Sequence, residues 1–234
     1  MSKGVINKPF FIFNPKSYLY GNELLDLAVL ADELASKSNI SVFVTAPYSD
    51  LKLVSENTEH VIITAQHMDG ISPGRGMGHV LPESLYEAGA RATVLNHAEH
   101  PMTLNELVQS MNKAKELGMV TIVCADSLAE ATAIAKLNPD ILLCEPTELI
   151  GTGQTSDENY IRQTNEAIKN VNDSILVMQA AGISTSEDVY RTISLGADGT
   201  GATSGIVKAD NPRQALKDMI QAADRAYQSR DGKE

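Results

Sequence analysis

The hydrophobic pattern of the chain alternates between short apolar runs and longer segments with helical spacing. The first run, Phe10-Phe11-Ile12-Phe13, is apolar at every position and is bounded by Pro9 and Pro15. A run of this kind predicts a strand that is buried on both faces, as in a parallel sheet. Residues 22–37 follow with leucine and alanine recurring on one helical face, which predicts an amphipathic helix.

The same alternation continues to the end of the chain. Further strands are predicted at residues 40–45, 61–65, 92–95, 120–124, 140–144, 175–178 and 199–203. Further helices are predicted at residues 82–89, 104–117, 128–137, 158–171, from the turn at 181–185 to about 195, and from 211 to near 227. Alternation of strand and helix about eight times predicts a (β/α)8 TIM barrel. An open doubly wound sheet is the fallback, weakened because no G-x-G-x-x-G follows the first strand.

The length and composition fit one large domain. The 234 residues are 43% hydrophobic and contain no low-complexity break, so we expect a single barrel domain over 1–234. The catalytic barrel is expected at about 9–228, with a frayed tail at 229–234. The glycine-rich segment 66–78 is predicted to be a long loop.

The charge and the cysteines narrow the class of protein. The formal net charge of −11 argues against a nucleic-acid or anionic-membrane partner. No long apolar run or leader is present, so we expect a soluble cytoplasmic protein. Cys124 and Cys144 lie in strand-like runs and are predicted to be buried free thiols. The Cys and His spacing indicates no metal site, and no cofactor is expected.

Several chemically active residues fall where predicted strands end. Asn14 and Lys16 follow the first strand, His97 and Glu99 the fourth, and Glu145 the sixth. Each has an ordinary alternative, such as a solvated lysine or a structural histidine. In a barrel, however, the carboxyl ends of all strands form one catalytic face. Pro146 and the later Gly-Thr-Gly at 151–153 suggest that a closing lid follows Glu145.

Ordered motifs at these strand ends resemble one known family. They are N-P-K at 14–16, A-Q-H at 65–67, G-H-V-L-P-E at 78–83, L-N-H-A-E at 95–99, E-P-T-E-L-I-G-T-G at 145–153, A-G-I-S-T at 181–185 and S-G-I-V-K-A at 204–209. Over residues 10–227 the chain resembles triosephosphate isomerases, particularly the compact archaeal sequences. The resemblance implies a TIM barrel that acts on a small phosphorylated sugar.

The resemblance also implies a role for individual residues. Glu145 matches the base that removes a carbon-bound proton, and His97 matches the neutral electrophile that hydrogen-bonds the enediolate. Lys16 matches the substrate-binding cation, Asn14 its neighbour, and Glu99 is the retained acid beside them. The residues that match the backbone-amide phosphate grip are Gly151, Ser184, Ser204 and Gly205.

Five departures from the family pattern leave the substrate open. Ala98 stands for the usual serine, and His100 for a common arginine. Arg75-Gly76-Met77 lacks the threonine that reaches a partner subunit, and Gln179-Ala180 replaces glycines. The strand at 199–203 is small and polar, which would leave extra volume or let the backbone approach a ligand closely.

Three functions therefore compete at this stage. The leading hypothesis is interconversion of dihydroxyacetone phosphate and glyceraldehyde 3-phosphate. The second is the same chemistry on a four-carbon ketose phosphate, and the third is a catalytically silent barrel that senses a phosphorylated metabolite. The joint retention of Asn14, Lys16, His97 and Glu145 counts against a silent barrel. Family members are at least dimeric, so a homodimer or homotetramer is expected, with Met77 as an apolar contact.

Overall fold

The computed structural model describes residues 6–146 and 156–231. Its strands close into one parallel barrel in sequence order. They are β1 (Phe10–Phe13), β2 (Ser41–Ala46), β3 (Ile62–Ala65), β4 (Ala92–Leu95), β5 (Val120–Ala125), β6 (Ile141–Cys144), β7 (Leu176–Gln179) and β8 (Gly199–Ala202). Closure comes from the pairing of β1 with β8, which aligns Phe10 with Gly199 and Phe13 with Ala202. The predicted single-domain (β/α)8 barrel is confirmed.

Helices surround the barrel. They are α1 (Gly21–Ala35), α2 (Leu51–Ser55), α3 (Pro82–Glu87), α4 (Leu104–Leu117), α5 (Leu128–Ala135), α6 (Glu158–Val171), α7 (Ser186–Ser194), α8 (Ser204–Val207) and α9 (Pro212–Asp231), with a 3₁₀ turn at Tyr48–Asp50. Within the described ranges, none of these helices is long and apolar enough to cross a membrane.

Two short helices were missed by the sequence pattern, and the end of one long helix was misplaced. Both α2 and α8 have five residues or fewer, so neither is long enough to show a helical hydrophobic period. Helix α9 continues to Asp231, beyond the predicted end near Tyr227. Residues 229–231 of the predicted frayed tail are therefore helical.

Local capping residues explain where the best-predicted helix begins and ends. Thr103 accepts a hydrogen bond from the backbone of Glu106 while the Glu106 carboxylate accepts one from the Thr103 N–H, which is a complete capping box. At the other end Gly118 adopts a left-handed backbone with φ of 69°, which glycine tolerates without steric cost. These signals fix α4 at Leu104–Leu117, the predicted range.

The core consists of two layers because consecutive strand residues point to opposite faces. Phe10 and Ile12 belong to an apolar cluster inside the barrel. Phe11 and Phe13 belong to a second cluster between the strands and the surrounding helices. This arrangement explains why β1 is apolar at all four positions. Cys124 and Cys144 are buried and free, as predicted.

The small residues of β8 make room for large neighbours. A Cβ added to Gly199 would lie 2.3 Å from the Phe10 ring, and one added to Gly201 would lie 2.5 Å from the Ile12 carbonyl oxygen. The Phe10 ring and the Met178 side chain therefore occupy the space that β8 leaves free. The extra volume suggested by the sequence of this strand is not present at Gly199.

Candidate active site

The residues predicted at strand ends surround one cavity at the carboxyl end of the barrel. The cavity has a volume of about 250 Å³ and is lined by Asn14, Lys16, His97, Glu99, Glu145 and Ser204, among others. Its floor is apolar and includes Ile12, Ile122 and Leu143 from the interior of the barrel. Fixed charges act most strongly on a ligand where polar groups surround a cavity with an apolar floor.

Asn14 is fixed by the strands on either side of it. Its backbone N–H donates to the carbonyl of Ala202 at 3.2 Å. Its side-chain oxygen accepts hydrogen bonds from Thr45 Oγ1 at 2.6 Å and from the Lys16 N–H at 3.0 Å. With the oxygen occupied, the amide NH₂ is the group that remains to donate into the cavity.

Lys16 has an unusual backbone conformation that directs its ammonium group into the cavity. Its φ of +49° lies in the left-handed region, which is disfavoured for residues with a Cβ. The side chain of Gln66 stabilises this conformation by donating to the Lys16 carbonyl at 2.7 Å. Lys16 Nζ then donates to Glu99 Oε1 at 2.7 Å. Gln66 was recognised only as part of a motif, and its contact with Lys16 was not predicted.

His97 is oriented by the backbone two residues further along the chain. Its Nδ1 accepts a hydrogen bond from the Glu99 N–H at 3.1 Å, so the ring proton is carried by Nε2 when the imidazole is neutral. Burial and the nearby Lys16 charge lower the pKa of His97, against a smaller opposing effect of Glu99. His97 is therefore a neutral hydrogen-bond donor at physiological pH.

Glu145 begins the loop after β6 and is held there by its backbone. Its N–H donates to the carbonyl of Ala125 at 3.0 Å. Burial raises the pKa of Glu145, Lys16 lowers it, and Glu99 raises it further. A carboxylate whose charge is destabilised by burial is a stronger base than one in water.

Glu99 lines the same cavity and accepts the hydrogen bond of the Lys16 ammonium group. Burial alone would raise the pKa of Glu99, but the hydrogen bond and charge of Lys16 outweigh burial and lower it. Its side chain is 60% exposed, whereas that of Lys16 is 18% exposed. Glu99 is thus an ionised partner that positions the Lys16 ammonium group.

Of the predicted phosphate residues that the structure describes, Ser204 lines the cavity, and Ser184 and Gly205 directly follow the lining residues Ile183 and Ser204. A Cβ on Gly205 would lie 2.7 Å from both the Cα and the carbonyl oxygen of Ser184, so the two loops touch backbone to backbone. The Ser184 N–H is already engaged, because it donates to Asp188 Oδ2 at 3.1 Å. Within the described residues the N–H groups of Ser204 and Gly205 have no such acceptor. Gly151 lies outside the described residues.

Some departures from the family pattern line the cavity, namely Ala180 and residues 201–203, and the others lie around it. Ala98 lines a separate space of about 90 Å³ behind His97 and Glu145. His100 stacks on His67 with ring centroids 4.0 Å apart. Met77 is fully exposed on the long loop after β3.

The chain is similar in sequence to known proteins over most of its length. The family model described as triosephosphate isomerase matches residues 9–223. Triosephosphate isomerase of Methanocaldococcus jannaschii is 37% identical over 214 residues, covering 89% of this chain and 97% of that protein. The enzyme of Methanosarcina mazei is 36% identical, covering 92% and 99%. The enzyme of Sulfolobus acidocaldarius is 33% identical, covering 95% and 98%.

Proposed function

The chain belongs to the triosephosphate isomerase family, and we propose that Glu145, His97, Lys16 and Asn14 carry out the isomerisation of dihydroxyacetone phosphate and glyceraldehyde 3-phosphate in it. The observation that carries the proposal is their convergence on one cavity. A base with raised pKa and a neutral imidazole donor are the two groups that enolisation requires.

The first step is removal of a carbon-bound proton. The Glu145 carboxylate takes the proton from the carbon next to the carbonyl, and the electron pair of that C–H bond moves to form the enediolate. Negative charge accumulates on the former carbonyl oxygen. His97 Nε2–H, the Asn14 amide NH₂ and the Lys16 ammonium group then stabilise that oxygen. This family is itself a standard example of such pKa tuning and lid closure.

The second step returns the same proton equivalent to the neighbouring carbon. His97 Nε2–H first gives its proton to the former carbonyl oxygen and takes the hydroxyl proton from the neighbouring oxygen. Glu145, now protonated, then delivers its proton to the former carbonyl carbon, and a carbonyl forms on the neighbouring oxygen. Glu145 ends the cycle as a carboxylate, so no cofactor is consumed. Backbone amides of Gly151, Ser204 and Gly205 are proposed to hold the phosphate in both steps, and Ser184 joins them if Asp188 releases its N–H.

The two competing hypotheses are less well supported. A four-carbon substrate would need a larger cavity, whereas Phe10 and Met178 fill the space beside the glycines of β8. A silent phosphate sensor would not need Glu145 or His97. The three relatives described above are each named triosephosphate isomerase, which favours the three-carbon reaction.

A substrate panel tests the proposed function directly. We expect turnover of dihydroxyacetone phosphate and glyceraldehyde 3-phosphate to exceed that of four- and five-carbon sugar phosphates by at least about 100-fold in kcat/KM. The physical reason is that Phe10 and Met178 occupy the space beside the glycines of β8, so this strand offers no added volume for further carbons. Preferential turnover of a four-carbon ketose phosphate would replace the proposal, and inactivity on every substrate would support the sensor.

The exposed loop after β3 supports an oligomer. Asp69 closes the base of this loop, since its carboxylate accepts the Val80 N–H at 2.6 Å and its N–H donates to the Val80 carbonyl at 3.0 Å. The Met77 side chain is fully exposed to solvent on this loop. A second cavity of about 210 Å³, lined by Tyr48, His67 and Lys16 among others, adjoins the active site. We propose a cytoplasmic homodimer or homotetramer in which a second copy covers Met77.

Light scattering at micromolar concentration checks the assembly. We expect a particle of at least twice the 25.2 kDa chain mass. Met77→Asp should shift the particle toward a monomer because a charge would be buried at the contact, whereas Met77→Leu should not. A parent protein of about 25 kDa would contradict the proposal.

A further inference from the structure

Two cationic side chains line the active-site cavity, and only one has been given a role. They are Lys16 and Lys208. Lys16 is paired with Glu99 at 2.7 Å. No carboxylate in the described ranges forms an ion pair with Lys208. The positive charge of Lys208 is therefore available to a ligand, while that of Lys16 is shared.

The backbone of Lys208 is attached to the turn that carries the proposed phosphate amides. Its N–H donates to the carbonyl of Ser204 at 3.1 Å. The same turn includes Gly205, which contacts the Ser184 backbone. Lys208 therefore lines the cavity next to the turn that carries Ser204 and Gly205.

An aromatic side chain from the loop after β1 faces the Lys208 ammonium group. Lys208 Nζ lies 5.4 Å from the centroid of the Tyr18 ring. Tyr18 also lines the cavity, and its N–H donates to the Pro15 carbonyl at 3.0 Å, which fixes it in the loop that carries Lys16. The loop after β1 and the turn after β8 therefore place Lys16 and Lys208 in the lining of the same cavity.

The charge of the whole molecule makes an unpaired cation at this position significant. With a net charge of −11, the protein repels a phosphate dianion at long range. A cation–π contact at an exposed position is weak. A charge-assisted contact between an ammonium group and a phosphate oxygen is stronger, so a bound phosphate would draw Lys208 toward itself.

We propose that Lys208 is a further substrate-binding residue that contacts the phosphate group, with Tyr18 positioning its ammonium group before the substrate arrives. The inference rests on the proposed function for the identity of the substrate. It assigns Lys208 to selection for phosphorylated over unphosphorylated substrates. The chemistry at carbon is left to Glu145 and His97.

Lys208→Met tests the assignment because methionine keeps an apolar stem of similar length without the charge. We expect the KM for glyceraldehyde 3-phosphate to rise about tenfold, which corresponds to about 1.4 kcal/mol, and kcat to change by much less. The inhibition constant of inorganic phosphate should rise by a similar factor. The kcat/KM for unphosphorylated glyceraldehyde should fall far less than that for the phosphorylated substrate.

Matched variants distinguish the effect of the Lys208 charge on substrate binding from the effect of a change in net charge. Lys115→Met makes the same change of net charge in the last turn of α4. That turn lies at the opposite end of the barrel from the strands' carboxyl ends, because the helices run antiparallel to the strands. Lys115→Met should therefore leave the KM near the parent value. Lys208→Arg should restore most of the affinity. Tyr18→Leu should raise the KM about two- to threefold, and Tyr18→Phe, which retains the ring, should raise it less.

Calorimetry with inorganic phosphate makes the outcome independent of turnover. A parent protein that binds phosphate but does not isomerise triose phosphates would refute the proposed function, while the affinity of Lys208→Met would still test Lys208. Equal phosphate affinity in the parent and in Lys208→Met would overturn the inference. An equal rise in KM in Lys115→Met would overturn it as well.

Discussion

Glu145→Gln should lower kcat by about 10²–10⁴-fold, the usual cost of losing a positioned general base. Glutamine keeps the size and hydrogen-bonding shape of the side chain, but it does not accept a proton at neutral pH. The proposed phosphate contacts, made by lysines and backbone amides, do not involve Glu145, so the affinity for glycerol 3-phosphate should stay close to that of the parent. Single-turnover kinetics and calorimetry measure the two quantities.

Proton exchange provides a second readout for Glu145. The parent enzyme should exchange the carbon-bound proton of dihydroxyacetone phosphate with deuterium from solvent, and Glu145→Gln should not. Glu87→Gln is the matched control, because Glu87 is exposed on α3. If Glu145→Gln exchanged at the parent rate, another group would be the base and the proposed mechanism would be wrong.

Lys16→Ala should lower kcat/KM by about 10²–10³-fold, because it removes a cation that stabilises developing charge in a dry site. Both substrate affinity and turnover should fall, since the ammonium group is placed to contact the ground state and the enediolate. Folding should be little affected, because the partner Glu99 is 60% exposed and regains water when Lys16 is removed. Lys115→Ala is the control for net charge.

The pH dependence of kcat gives this variant a specific signature. Glu145 and His97 both act in their deprotonated forms, so activity rises with pH through their pKa values and then levels off. Lys16 lowers the pKa of both groups. Removing it should therefore move the acid limb of the profile to higher pH. Saturating substrate is needed because the substrate phosphate itself titrates near pH 6. Unchanged affinity for a phosphate-bearing inhibitor would exclude Lys16 from the site.

The fold could be predicted largely from local sequence. Each strand of a barrel is buried on both faces, so strands such as Phe10–Phe13 and Ile141–Cys144 are visible as continuous apolar runs. Helix ends were visible where capping residues mark them, as at Thr103 and Gly118. The order of these elements then limited the fold to very few topologies.

The last strand shows where local pattern stops being informative. Gly199–Ala202 has almost no strand propensity, and its place in the sheet depends on the ring of Phe10, which fills the space above Gly199. This strand was predicted only because the alternation of strands and helices along the chain requires a strand at this position. The contact between Phe10 and Gly199, which are 189 positions apart in the sequence, explains why this strand has glycine there.

The chain's own sequence determined which residues end the strands and therefore which face carries the chemistry. It predicted that Asn14, Lys16, His97 and Glu145 follow the ends of strands, where the structure has them, because position along a strand is a local property. Only the tertiary structure decided their electrostatic state, because their partners are distant in sequence: Lys16 meets Glu99 across 83 residues and Gln66 across 50. The contact of Lys208 with Tyr18 likewise requires the barrel to close, since it joins the loops after its first and last strands.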